Sequence, residues 1–174
     1  MRRLLLLRHA KAVPAGSGID DHGRELTARG RDDTAKIGRY VEKEGYAPNL
    51  ILSSTSQRTM ETVEGVAGEL SSAPRVDHLE ALYLAEPEVI LSVIRLAPDK
   101  MKRVMVVGHN PGLEHLATLL AREPVKRKER DRFDMIEEKF PTAALAVLDF
   151  DVARWRDVAP GGGALADFVR PRDL

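Results

Sequence analysis

Short apolar runs that stop abruptly at polar residues restrict the fold of this chain more than any other feature. Leu4–Leu7, Leu50–Leu52, the run RVMVV at Arg103–Val107 and AALAVLDF at Ala143–Phe150 are short and continuous, as strands buried on both faces are. Arg75–Leu79 is a weaker candidate strand, and Trp155–Ala159 is expected to pair beside the last run. Helical spacing fills the gaps. Thr34, Ile37 and Val41 follow an N-cap at Thr27 and precede Gly45 at C′. Thr59, Val63, Val66 and Leu70 form a second stripe after Ser53-Ser54. Val89/Ile90, Val93/Ile94 and Ala97 form a third, between Pro87 in a first turn and Pro98 at the end. Leu113, Leu116, Ala117 and Leu120 form a fourth, opened by Asn110 as N-cap and Pro111 at N1. Alternation of strand and helix from end to end predicts an α/β protein. The expected form is a three-layer α/β/α sandwich on a mostly parallel central sheet, with one domain over residues 1–174.

Composition narrows the class of function. Formal net charge is zero, so no global field draws nucleic acid or an anionic membrane, and any anion site must be local. The absence of cysteine excludes disulfides, thiolate metal sites and a cysteine nucleophile, and fits a reducing compartment. Leu4–Leu7 is shorter than the roughly 7–15 residues of a signal-peptide core. No run approaches the ~20 apolar residues of a membrane span. A cytoplasmic monomer is the expectation.

Ligands of parallel sheets bind beyond the carboxyl ends of the strands, so the residues there carry the functional signal. The first strand ends in Arg8-His9. The second leads into SSTSQRT, with Arg58 in the first turn of a helix, and RVMVV leads into Gly108-His109-Asn110 at another helix start. Singly, each has a structural explanation: a solvated arginine, a hydrogen-bonded histidine, a Ser-Ser cap. Together, three strand ends bring cationic or titratable groups to one rim, and two of them lead into helix N-termini, which attract anions. A positive pocket in a neutral protein suits a phosphoryl group, which an arginine fork grips in a bidentate way.

These residues resemble the motifs of the histidine phosphatase (phosphoglycerate-mutase-like) superfamily. Arg8-His9 is similar to its "RHG" signature, with Ala10 where the family has glycine. Ser53-Ser54, Arg58 and Thr62 match S-S-x-x-x-R-x-x-x-T, and Gly108-His109 matches the second histidine motif. Arg24–Gly30 (RELTARG) looks like R-x-L-T-x-x-G. The short length and Phe140-Pro141-Thr142-Ala143 look most like the SixA-type phosphohistidine phosphatase branch.

The resemblance implies a phosphoglycerate-mutase-like fold and a metal-independent phosphatase. His9 would be the nucleophile, forming a transient phosphohistidine. Arg8, Arg58 and His109 would bind the phosphoryl oxygens, with Arg24 nearby. No cofactor or metal is implied. The partner would be a phosphorylated substrate such as a histidine-phosphotransfer protein, with inorganic phosphate as product and no role for nucleic acid or membrane. Glu80 is the candidate general acid and Asp20 and Asp21 are poorer ones. An alternative is a small-molecule phosphoester phosphatase that relies on Glu80. A non-catalytic phospho-ligand module is a third reading. His22, His78 and His115 match no motif and are expected in surface or local bonding roles. The charge-dense segment 122–139 is expected to be solvated, Gly161–Gly163 to be a turn, and Phe168–Leu174 to be a tail that packs Phe168.

Overall fold

The computed structural model describes residues 1–16 and 18–174; Ser17, inside the polar loop that follows Arg8-His9, lies outside the described residues. In chain order the strands are β1 (Arg2–Arg8), β2 (Leu50–Ser53), β3 (Arg75–His78), β4 (Arg103–Gly108), β5 (Leu145–Phe150) and β6 (Gly163–Val169). The helices are α1 (Ala28–Lys43), α2 (Gln57–Ala67), α3 (Pro87–Arg95), α4 (Gly112–Leu120) and α5 (Arg127–Glu138). Among the described residues the strands form a single sheet in the order β3-β2-β4-β1-β5-β6. Pairings from β3 to β1 are parallel, while β5 runs antiparallel to β1 and β6 antiparallel to β5.

The unbroken leucine run follows from the position of β1. It lies between β4 and β5 with a helical layer on each face. Leu4 and Leu6 join a core with Ile90 and Ile94 of α3, Leu113 and Leu116 of α4, and Ile136 of α5. Leu5 and Leu7 join the opposite core with Ile37 and Val41 of α1 and Val63 and Val66 of α2. All four leucines are fully buried, so neither face tolerates a polar side chain. Register then fixes where the chain leaves the sheet. Arg8 pairs with Gly108, and both Leu7 and Ser53 pair with Val107. The segments after β1, β2 and β4 therefore emerge side by side.

The expected α/β/α class holds, with several boundaries corrected. The N-cap of α2 is Ser56, whose hydroxyl accepts from Thr59 N–H. α4 begins at Gly112 with Pro111 as its N-cap residue, and the Asn110 amide instead donates to Glu114 and to the Phe140 carbonyl. Residues 155–159 do not pair as a strand: Trp155–Asp157 is a 3₁₀ turn, with the indole buried and donating to the Met101 carbonyl at 2.6 Å. The strand beside β5 is β6, which begins in the glycine run and takes up Phe168 and Val169 from the expected tail. Its sequence, GALADFV, holds small residues and an aspartate, so its apolar signal is weak. The charged segment contains α5, which buries Ile136 and leaves ion pairs such as Arg127–Asp131 in solvent. No described helix is long and apolar enough to cross a membrane.

Gly30 shows how tightly the first loop is held. Thr27 and its N–H bind the Lys11 carbonyl, and a Cβ on Gly30 would lie 2.2 Å from that oxygen. Gly30→Ala should lower stability by about 1–3 kcal/mol through overpacking against backbone, measured as a lower midpoint in urea denaturation with an unchanged slope.

Candidate active site

His9 follows the last residue of β1 and is 8% exposed. Its backbone N–H donates to the Gly108 carbonyl, and Ala143 N–H lies 3.1 Å from the carbonyls of both Arg8 and His9. The ring Nδ1 lies 2.8 Å from the carbonyl of Ala10. Only a protonated nitrogen can donate there, so Nδ1 carries the hydrogen and Nε2 keeps the lone pair. Ala10 is itself fixed: its N–H donates to Thr62 Oγ1 at 3.0 Å, and that hydroxyl donates to the Arg58 carbonyl at 2.7 Å. Thr62 thereby joins the segment after β1 to helix α2.

Arg8, Arg58 and His109 surround this ring. The Arg8 guanidinium donates to the Phe140 carbonyl at 3.1 Å. Arg58, 2% exposed in the first turn of α2, donates to the Asp21 carbonyl at 2.7 Å and to Asp21 Oδ2 at 3.1 Å. It also donates to His109 Nδ1 at 3.3 Å, which leaves the proton of His109 on Nε2, facing Ser54 Oγ at 2.8 Å. The rings of His9 and His109 have centroids 5.4 Å apart. The Nε atoms of Arg8 and Arg58 are buried and have no hydrogen-bond partner. An unpaired buried donor costs about 1–3 kcal/mol, which an arriving anion would recover.

The field of the site keeps both histidines neutral. Burial lowers the pKa of His9 to about 3, and the charges of His109, Arg58 and Arg8 act in the same direction, opposed by its bond to Ala10. Burial, then Arg58, lowers His109 to about 4. The result is a lone pair on Nε2 next to two arginines with free N–H groups. That arrangement can hold a tetrahedral oxyanion and attack its central atom.

The carboxylates are arranged differently from the sequence expectation. Asp21, a poor candidate on sequence grounds, is the one that touches the catalytic cluster. It accepts from Tyr83 Oη, Arg58 and Arg24, and these bonds, that of Tyr83 foremost, lower its pKa to about 2. It is an ionised anchor for Arg58. Arg24 binds Asp21 and the Val13 carbonyl, so it reaches the site through Asp21. Glu80 is exposed and accepts from Thr55 Oγ1, whose oxygen lies 2.9 Å from His22 Nε2. Glu80 and His22 thus form a rim pair bridged by Thr55, and Glu80 makes no hydrogen bond to Arg8, His9, Arg58 or His109 among the described residues. Asp20 holds only the Gly23 N–H in a turn. His78 and His115 are exposed. Tyr83, whose ring stands edge-on to His109 with centroids 5.5 Å apart, has no signal in the sequence. Ser54 had one in the Ser-Ser pair, but its hydroxyl orients His109 instead of capping the helix.

Residues 4–83 match the model for the histidine phosphatase superfamily, branch 1. An uncharacterized protein of Mycobacterium tuberculosis is 32% identical over 166 residues, covering 95% of this chain and all of that protein. A solved structure of a candidate SixA phosphohistidine phosphatase from Agrobacterium tumefaciens is 31% identical, covers 98% of both chains and superimposes with a TM-score of 0.78. A second candidate SixA, from Nakamurella, is 28% identical with a TM-score of 0.81, covering 98% of this chain and 96% of that one.

The buried neutral histidines set a sign for pH dependence. An unfolded His9 titrates near 6.5 and the folded one near 3. Between those values the unfolded chain binds more protons, so stability falls as pH drops below about 6.5 and stops falling only near the folded pKa. In phosphate-free buffer, wild type should lose stability between pH 6 and 4 more steeply than His9→Asn, by about 1.4 kcal/mol per pH unit. Equal slopes in urea denaturation would refute this placement of His9.

Proposed function

The chain belongs to the histidine phosphatase superfamily, and we propose that it is a metal-independent phosphatase that carries the phosphoryl group on His9 and takes protein phosphohistidine as its substrate. One observation carries this reading: the Ala10 carbonyl fixes the His9 tautomer, so Nε2 presents its lone pair among unpaired arginine donors. In the first step Nε2 attacks phosphorus while the bond to the leaving group breaks. Arg8 and Arg58 neutralise the equatorial oxygens as the charge spreads over them, the role that metal ions fill in other phosphoryl-transfer sites. His109 accepts from Arg58 on Nδ1 and faces Ser54 with Nε2, so it holds the Arg58 guanidinium in position. In the second step water adds to phosphorus. Inorganic phosphate leaves as dihydrogen phosphate carrying both water protons, and the bonding pair returns to Nε2.

The nature of the leaving group selects the substrate. An ester needs a proton donor for its alkoxide. A phosphohistidine protonated on its other ring nitrogen leaves as neutral imidazole without one. Asp21 is ionised and bound to Arg58, and Glu80 is committed to Thr55 at the rim. Both carboxylates thus have other partners, which favours a substrate whose leaving group needs no acid. The candidate SixA structures from Agrobacterium and Nakamurella, over essentially the whole chain, support the same substrate class.

The decisive experiment mixes the protein with a phosphorylated histidine-phosphotransfer domain and quenches in alkali. Acid-labile phosphate should be found on His9, EDTA should have no effect, and vanadate should inhibit. His9→Ala dephosphorylating as fast as wild type would sink the mechanism. Arg58→Ala should lower kcat by roughly 10²–10³. Glu80→Gln should leave phosphohistidine turnover within about twofold of wild type, because the better leaving group needs no acid. Strong ester turnover that collapses in Glu80→Gln would instead identify a phosphoester phosphatase.

A further inference from the structure

Beside the catalytic cluster the sheet edge opens into a cleft of about 260 Å³. Its position follows from register. Leu7 pairs with Leu145 and Leu145 with Val169, so β6 ends level with β1, two strands away. Lys11, two residues beyond His9, lines the cleft from one side, and Arg170 and Arg172, just after β6, line it from the other. Pro141 and Thr142 also line it, directly before Ala143, whose N–H supports the carbonyls of Arg8 and His9. Arg29 of α1 and Lys139 at the end of α5 complete the cationic lining.

The charge of this cleft is not neutralised by the protein. Asp33, its one acidic lining residue, lies 3.7 Å from Lys36, and Arg170 is bound by Asp173. Lys11, Arg29, Lys139 and Arg172 are exposed and form no ion pair among the described residues. Four free cations converge on one opening in a chain whose formal net charge is zero. Structural reasons to cluster like charges are lacking, since they repel and stabilise nothing on their own.

We propose that this cleft docks an acidic segment of the phosphoprotein substrate, with carboxylate side chains next to the phosphorylated residue seated between Lys11, Arg29, Lys139 and Arg172. Charge complementarity commits the site to an anionic occupant. The chemistry of the donors favours carboxylates on a chain: the four heads are solvated and spread over several elements, whereas the phosphoryl site has arginines with buried, unpaired Nε atoms. Such a surface selects partners and raises the encounter rate. The proposal rests on a phosphohistidine-bearing protein as the substrate.

The test compares phosphohistidine peptides with acidic and neutral flanks, and phosphoramidate as a substrate too small to reach the cleft. Wild type should favour the acidic flank by about tenfold, mainly through KM, and the preference should shrink as ionic strength rises. The double variant K139E/R172E should lose the preference and keep its rate on phosphoramidate. Equal use of both peptides by wild type, or an equal loss on phosphoramidate in the variant, overturns the proposal. Binding of the acid-flanked, unphosphorylated peptide to His9→Ala by fluorescence anisotropy separates docking from turnover. Tight binding without turnover in wild type leaves the docking surface standing and rejects the phosphohistidine reading. Turnover without flank-dependent binding does the reverse. A variant that loses affinity for a sugar bisphosphate but not for the peptide assigns the cleft to a second phosphate and rejects the acidic segment.

Discussion

The hydrogen bond from His9 Nδ1 to the Ala10 carbonyl is the interaction on which the site depends. It joins a ring to the backbone of the very next residue, so its geometry is only as good as the placement of that backbone. Three restraints supply the placement. The leucines of β1 are packed on both faces and hold the strand still. The parallel neighbour β4 receives the His9 N–H through Gly108. Thr62 then fixes Ala10 and relays the restraint to Arg58. A methyl group at residue 10 is fully buried without disturbing this arrangement, so the family glycine is replaced at no visible loss.

The same packing creates an electrostatic imbalance. Arg58 is buried and Arg8 half-buried, each with a buried, unpaired Nε, and both histidines stay neutral because burial and the arginine charges oppose protonation. The protein tolerates this because Asp21 neutralises Arg58 through its terminal nitrogens while its Nε stays buried and unpaired. Tyr83 and Arg24 hold Asp21 in turn. The donors are therefore oriented before any anion arrives, and little reorganisation accompanies the chemical step. Folding free energy is spent on that orientation, which is how strained or unsatisfied groups persist at functional sites.

Much of this was legible in the sequence, for a definite reason. Strands buried on both faces write themselves as continuous apolar runs, and the residues after them must lie at one edge once the strands are parallel. Arg8, His9, Arg58 and His109 could thus be brought together without coordinates. What escaped depends on long-range contacts with no local signature. β6 opens on small residues and holds an aspartate whose partners are Tyr40, Tyr46 and Arg132, distant in sequence. Asp21 and Tyr83 are separated by 62 positions and meet only because the first loop folds over the end of β3. Glu80 carried a stronger sequence argument than Asp21, yet the 3₁₀ turn at Glu80–Leu82 directs it to Thr55.

Depth separates the two kinds of recognition at this edge. In the proposed function Arg8 and Arg58 would meet the phosphoryl group through buried Nε atoms, where each charge acts at short range with little screening. Groups in that role would bind the part common to every phosphorylated compound and would not distinguish one phosphoprotein from another. Discrimination must come from groups that touch what surrounds the phosphate, and these lie at the rim. Rim charges are solvated and individually weak, so a useful difference requires several of one sign together. A neutral chain with four cations unpaired among the described residues beside the proposed nucleophile meets that requirement without the general attraction to polyanions that an overall basic charge would bring.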